Sequence, residues 1–276
     1  LPVGLGQLPN LLTLLVWNNS FSGKLPDELG RASPLQWLDV SSNLFDGPIP
    51  PHLCFHSNLT KLIMFSNRLS GPVPQSLATC PSLLRVRMQG NQLTGPIPTG
   101  FGSLPKLARL ELQHNLLVGS IPPDLPNSSL LNYFDVSYNM LSGNLPGNIW
   151  DLASIQTFIA SGNNFTGTIP ARFHSACNTL TELALSHNFL SGNIPAGMSD
   201  CEKLIRVELQ GNLLAGTIPE EIASMQNLEV LDLSDNLLSG PIPYGFQNLT
   251  TLEAFNVSYN NLSGPVPFAG IFRTAS

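Results

Sequence analysis

Residues 228–243 read LEVLDLSDNLLSGPIP, and the order of residue types in that stretch decides the fold. Leu231 and Leu233 alternate with Asp232, a period of two that specifies a short strand with one buried and one wet face. Asn236 stands where the chain leaves that strand. Gly240 then permits a backbone conformation closed to residues with a Cβ, and Pro243 ends the following extended segment without an N–H to donate. The same order recurs outward in both directions. The asparagine returns at Asn19, Asn43, Asn67, Asn91, Asn115, Asn139, Asn163, Asn188, Asn212 and Asn260, with one spacing of 25 residues near Ala176 to Thr179 and all others of 24. Four residues after each comes a glycine, from Gly23 to Gly264, and then an apolar–proline pair, from Leu25-Pro26 to Val266-Pro267.

Each slot has a physical task. The apolar residue eight before each asparagine, from Leu11 to Leu252, points inward with the strand apolars and fills one continuous core. A single 24-residue unit cannot bury enough surface to fold alone, so stability must come from stacking on neighbours. A ladder of buried asparagine amides can satisfy the turn backbone of the adjacent repeat. The chain of 276 residues is low in charge (11%), rich in turn residues (23 Gly, 24 Pro) and 42% hydrophobic, as regularly punctuated short elements require. Its net charge of −6 offers no basic surface to neutralise phosphates, which argues against nucleic acid as a partner. No run of 18 apolar residues exists, so this segment is expected to make no membrane contact. Sequons begin at Asn18, Asn58, Asn127, Asn164, Asn248, Asn256 and Asn261, which points to an extracellular compartment; Asn256, on the strand face, is expected to stay bare.

The eleven copies resemble the plant-specific leucine-rich repeat. That resemblance implies an α/β leucine-rich-repeat solenoid, a right-handed superhelical arc with a concave parallel β-sheet. Residues 1–276 read as one solenoid segment of about eleven repeats, with no island insertion and lacking N- and C-terminal caps, hence an internal piece of a longer ectodomain.

With the scaffold set aside, the informative residues are the strand side chains facing the concave surface. The first three repeats place Trp17, Trp37, Ile63 and Phe65 there, with Asp39 and Ser41 among them, and grouped apolar residues on one face are expected to form a binding surface. Next come Arg85 and Arg87, which period two puts on the same side of one strand, with Gln89 following. Two guanidiniums a strand step apart can hold one carboxylate through charge-assisted hydrogen bonds. The alternative is a solvated charge pair, because Glu111 occupies the slot matching Arg87 in the next repeat.

Residues 84–91, LRVRMQGN, resemble the R-x-R motif of plant peptide-hormone receptor kinases, and the segments LDVSSNLFDGPIP, HLCFHSNLTKLIMFSNRLSG and RVELQGNLLAGTIP resemble the receptors for CLE-type peptides. The resemblance implies that Arg85 and Arg87 hold a hormone's C-terminal carboxylate. It also implies an extended dodecapeptide on the concave face, a co-receptor kinase of the somatic-embryogenesis receptor type, and a single membrane span with a cytoplasmic Ser/Thr kinase beyond this segment. The location implied is the extracellular face of the plasma membrane. Paired cysteines in neighbouring repeats of such receptors imply a disulfide between Cys54 and Cys80. Cys177 and Cys201 share a slot in adjacent repeats, where either a disulfide or two small buried thiols would fit.

No cofactor or metal is expected. The five histidines have no metal spacing, and the acids of the face lack a partnered nucleophile or base, so this segment is read as no enzyme. The competing readings are a secreted inhibitor of microbial cell-wall-degrading enzymes, of the polygalacturonase-inhibitor type, and a receptor-like scaffold without a small ligand.

Overall fold

The computed structural model describes residues 1–269 and 272; the rest of the C-terminal stretch read above as uncapped lies outside the described residues. The chain groups into two compact units, residues 1–141 and 142–276. In the first unit six strands lie parallel: Thr13–Leu15, Trp37–Asp39, Lys61–Ile63, Arg85–Arg87, Arg109–Glu111 and Tyr133–Asp135. They pair in exact 24-residue register, so that Thr13, Trp37, Lys61, Arg85, Arg109 and Tyr133 form one row, and Leu15, Asp39, Ile63, Arg87, Glu111 and Asp135 another. The middle residue of each strand points the other way, and Leu38, Leu62, Val86, Leu110 and Phe134 are fully buried. They meet Leu35, Leu59, Leu83, Leu107 and Leu131 in the core.

The asparagine ladder explains how register is kept. Asn115 is buried; its Nδ2 donates to the carbonyls of Leu112 and, one repeat back, Met88, while its Oδ1 accepts from the Leu93 amide at 3.0 Å. Asn43, Asn67, Asn91 and Asn139 repeat the arrangement. Each side chain thus satisfies backbone groups that a buried turn would otherwise leave unpaired. The following segments, including Arg68–Pro72, Gln92–Pro96 and Leu116–Gly119, form a second parallel sheet, and short 3-10 turns such as Phe101–Ser103 close the repeat. Gly102 packs so tightly there that a Cβ would overlap the Asp124 carbonyl oxygen. A disulfide joins Cys54 and Cys80, whose Cα atoms are 5.9 Å apart.

The second unit repeats the pattern with the strands Thr157–Ile159, Glu182–Ala184, Arg206–Glu208, Val230–Asp232 and Ala254–Asn256. Its extra residue is taken up in the five-residue turn His174–Asn178, where the Thr179 and Leu180 amides both donate to the Ala176 carbonyl. Cys177 in that turn is joined to Cys201, which decides between the two readings left open for this pair. Beneath it Trp150 is fully buried, stacked on Phe173 at 4.6 Å, with its indole N–H donated to the Pro170 carbonyl. Among the described residues no helix is long and apolar enough to cross a membrane.

Candidate ligand-binding face

The exposed side of the six-stranded sheet carries every binding residue named from the sequence, but it presents them unequally. Trp17 stands clear of its neighbours at 57% exposure. Ile63, expected to be exposed, is buried to 7%. Its row places it directly between Asp39 and Arg87. Trp37 and Phe65 are half-buried: Lys61 Nζ sits 4.1 Å from the centre of the Trp37 ring, and the Arg87 guanidinium 4.7 Å from that of Phe65. The open apolar patch expected over three repeats therefore shrinks to Trp17 and its neighbour Leu15, and the other two aromatic rings serve as seats for cations.

Asp39 and Ser41 form a local motif. Asp39 Oδ1 accepts from the Ser41 hydroxyl at 2.6 Å and from the Ser41 amide at 3.1 Å, and Ser41 is buried. The same pair recurs as Asp135 with Ser137 and Asp232 with Ser234, which marks it as a turn device repeated along the face.

The two arginines have different surroundings. Arg87 Nε lies 2.8 Å from Glu111 Oε1 without the alignment of a hydrogen bond, an ion pair with its guanidinium resting on Phe65. Glu111 is only 2% exposed. It also pairs with Arg109 Nε and accepts from Gln89 Nε2 at 3.2 Å, and the Arg109 guanidinium lies 3.7 Å from the centre of the Tyr133 ring. Arg85, by contrast, is exposed, and its side chain has no hydrogen bond or ion pair among the described residues. Beyond Glu111 in its row, Asp135 is buried, and burial pushes its carboxyl above the ordinary 3.8. The bonds from Ser137 pull it back down, the nearby Glu111 raises it further, and His114 lowers it. One carboxylate thus serves two arginines, and the middle of the face keeps a positive excess in a protein of net charge −6.

Sequence reasoning found Arg85, Arg87, Gln89 and the Arg87–Glu111 contact but passed over Lys61, Arg109 and Tyr133. The signal lay in the slot six before each ladder asparagine, which holds Lys61, Arg85 and Arg109 in three consecutive repeats. All seven sequon asparagines are exposed, yet Asn256 donates its amide to Asp232 Oδ2 and accepts from Ser258.

Leucine-rich-repeat family models match residues 10–32, 34–55, 58–80, 82–104, 179–201 and 206–262, more than half of the sequence. The chain belongs to the leucine-rich-repeat family. Within it, a crystal structure of a TDR receptor is 44% identical over 99% of this chain and 47% of its own, with a TM-score of 0.95. The Arabidopsis receptor kinase HAESA, solved with the peptide hormone IDA and the co-receptor SERK1, is 40% identical over 97% of this chain and 44% of its own, with a TM-score of 0.93. The plant peptide hormone receptor RGFR1, solved with RGF2, is 34% identical over 97% of this chain and 43% of its own, also with a TM-score of 0.93. The leucine-rich repeats described here span less than half the length of those chains. No curated protein matches the sequence.

Proposed function

We propose that this chain is an extracellular ligand-binding segment of a plant receptor kinase that recognises a small secreted peptide hormone on its strand face. In this reading Arg85, with Arg87 beside it, receives the peptide's C-terminal carboxylate, and the peptide lies extended toward Trp37 and Trp17. A co-receptor kinase of the somatic-embryogenesis type is then recruited, and the peptide is of the CLE type, as for the receptor of the tracheary element differentiation inhibitory factor. The membrane span and the kinase belong to the rest of such a protein. The observation that carries the reading is Arg85, an exposed guanidinium without a partner in a positive region of an acidic protein. Support for the receptor class comes from the solved relatives, whose structures hold peptide hormones and, in one case, a co-receptor. The exposed sequons support the compartment, with glycans proposed at Asn18, Asn58, Asn127, Asn164, Asn248 and Asn261 and Asn256 left bare.

The test is calorimetric titration of the intact ectodomain with CLE-type dodecapeptides as free acids and as C-terminal amides, on wild type and on Arg85→Ala/Arg87→Ala. Losing the charge partner should cost roughly 2–5 kcal/mol. The amide should bind wild type weakly, and the double variant should not distinguish acid from amide. Equal affinity of acid and amide for wild type would refute the carboxylate site.

A further inference from the structure

Lys61, Arg85 and Arg109 stand directly opposite one another on three adjacent strands, a row of like charges roughly 4.8 Å apart per step. Like charges placed so destabilise a sheet. The same row in the second unit obeys the ordinary rule, with Glu182 opposite Arg206. Three of the chain's twelve cations are therefore held against mutual repulsion in one place. The outer two have relief within the protein: Lys61 lies over Trp37, and Arg109 pairs with Glu111 and stacks on Tyr133. The central Arg85 has none. A local rule broken without internal compensation marks a functional position.

We infer that Lys61 is a third contact for the bound anion, so that the carboxylate is seated across the strands between Lys61 and Arg85 as well as along the Arg85–Arg87 step. This rests on the carboxylate reading above and extends it. Two observations favour Lys61 over Arg109. Arg109 is committed to Glu111 by a hydrogen bond from its Nε and to the Tyr133 ring, whereas Arg87 lies beside Glu111 without hydrogen-bond alignment and keeps donors for a ligand. Lys61 has no carboxylate partner among the described residues, and the Trp37 ring occupies one side of its ammonium and leaves N–H donors for a ligand. One carboxylate oxygen then faces Arg85 and Arg87 and the other faces Lys61. The ammonium, a compact charge, completes what the planar guanidinium starts.

The experiment compares wild type, Lys61→Gln, Lys61→Arg and the outlying control Lys106→Gln in the intact ectodomain. A CLE-type dodecapeptide is titrated as free acid and as amide. Lys61→Gln should weaken the acid about tenfold, the scale of one charge-assisted hydrogen bond, and leave the amide unchanged. Lys61→Arg should restore most of the loss, and Lys106→Gln should do nothing. Equal weakening of acid and amide by Lys61→Gln, or no weakening, overturns the inference. A second arm needs no peptide: the rate of Arg85 modification by phenylglyoxal is followed by mass spectrometry with and without inorganic sulfate. Sulfate should slow the reaction in wild type and not in Lys61→Gln; equal protection in both overturns the role of Lys61. If the acid and amide bind wild type alike, or neither binds, the peptide reading fails, and the sulfate arm alone still decides whether Lys61 and Arg85 share an anion.

Discussion

Glu111→Gln tests the electrostatics of the face directly, because one nearly inaccessible carboxylate neutralises two arginines. Breaking a buried ion pair by removing one partner costs about 3–5 kcal/mol. The side chains of Arg87 and Arg109 are 28% and 33% exposed, so water can take up part of each charge. Gln retains an acceptor for their N–H groups, and exposed pairs are worth only about 0–1 kcal/mol. The expected loss lies between these limits, about 2 kcal/mol. The assay is urea unfolding followed by tryptophan fluorescence, with Glu229→Gln as an exposed control expected to stay within about 0.5 kcal/mol of wild type. Two unneutralised arginines repel, and salt screens that repulsion, so the loss should be larger at about 10 mM than at about 1 M salt. A Glu111→Gln protein as stable as wild type at low salt would refute the reasoning: solvent would then satisfy both arginines, and Glu111 would not be what holds Arg87.

Three further outcomes follow from the geometry. Asn115→Ala strips the Leu93 amide of its partner, while the Met88 and Leu112 carbonyls keep the Nδ2 groups of Asn91 and Asn139, so one buried orphan is made at a cost of about 1–3 kcal/mol. Hydrogen exchange should show the Leu93 amide losing protection, and unchanged protection would sink the ladder's stabilising role. Asp135 has a native pKa raised above the ordinary 3.8, so the native state holds its proton more tightly than the unfolded chain, and this group's contribution to stability falls as pH rises from 3.8 through the native value. Asp135→Asn should be the more stable protein at pH 7 and lose that advantage below pH ~4; thermal midpoints across pH decide it, and a wild type that gains on the variant with rising pH contradicts the sign. Gly102→Ala meets the Asp124 backbone and should cost about 1–3 kcal/mol or more. Gly23→Ala, with open space around its Cβ but φ +78°, should cost about 1 kcal/mol, and a reversed order in denaturation midpoints would count against the packing argument.

What the sequence made legible is what the repeat makes redundant. Asn115, Gly119 and Leu107 can be read because ten other copies say the same thing, and the register they impose places Arg85 beside Arg87 and Arg87 opposite Glu111 without coordinates. Burial of the face was not legible in the same way. Ile63 is buried although its slot alternates outward, and whether Trp37 is open depends on where Lys61 folds. Those are rotamer outcomes among unlike neighbours, and no repetition reports them. The Lys61–Arg85–Arg109 row was readable in principle but runs perpendicular to the chain, so it emerges only when the repeats are aligned column against column.

The exact register also fixes distances in a currency of whole strands. From the strand that precedes Trp17 to the strand of Arg85 is three steps, about 14 Å, the span of roughly four extended residues. Duplicating one 24-residue unit between them would lengthen that gauge by about 4.8 Å, less than two residues of an extended chain, while leaving every buried contact type intact. Such a protein would fold as well as its parent and measure a different length. Tandem duplication is thus a way for a repeat array to acquire a longer guest in one genetic event.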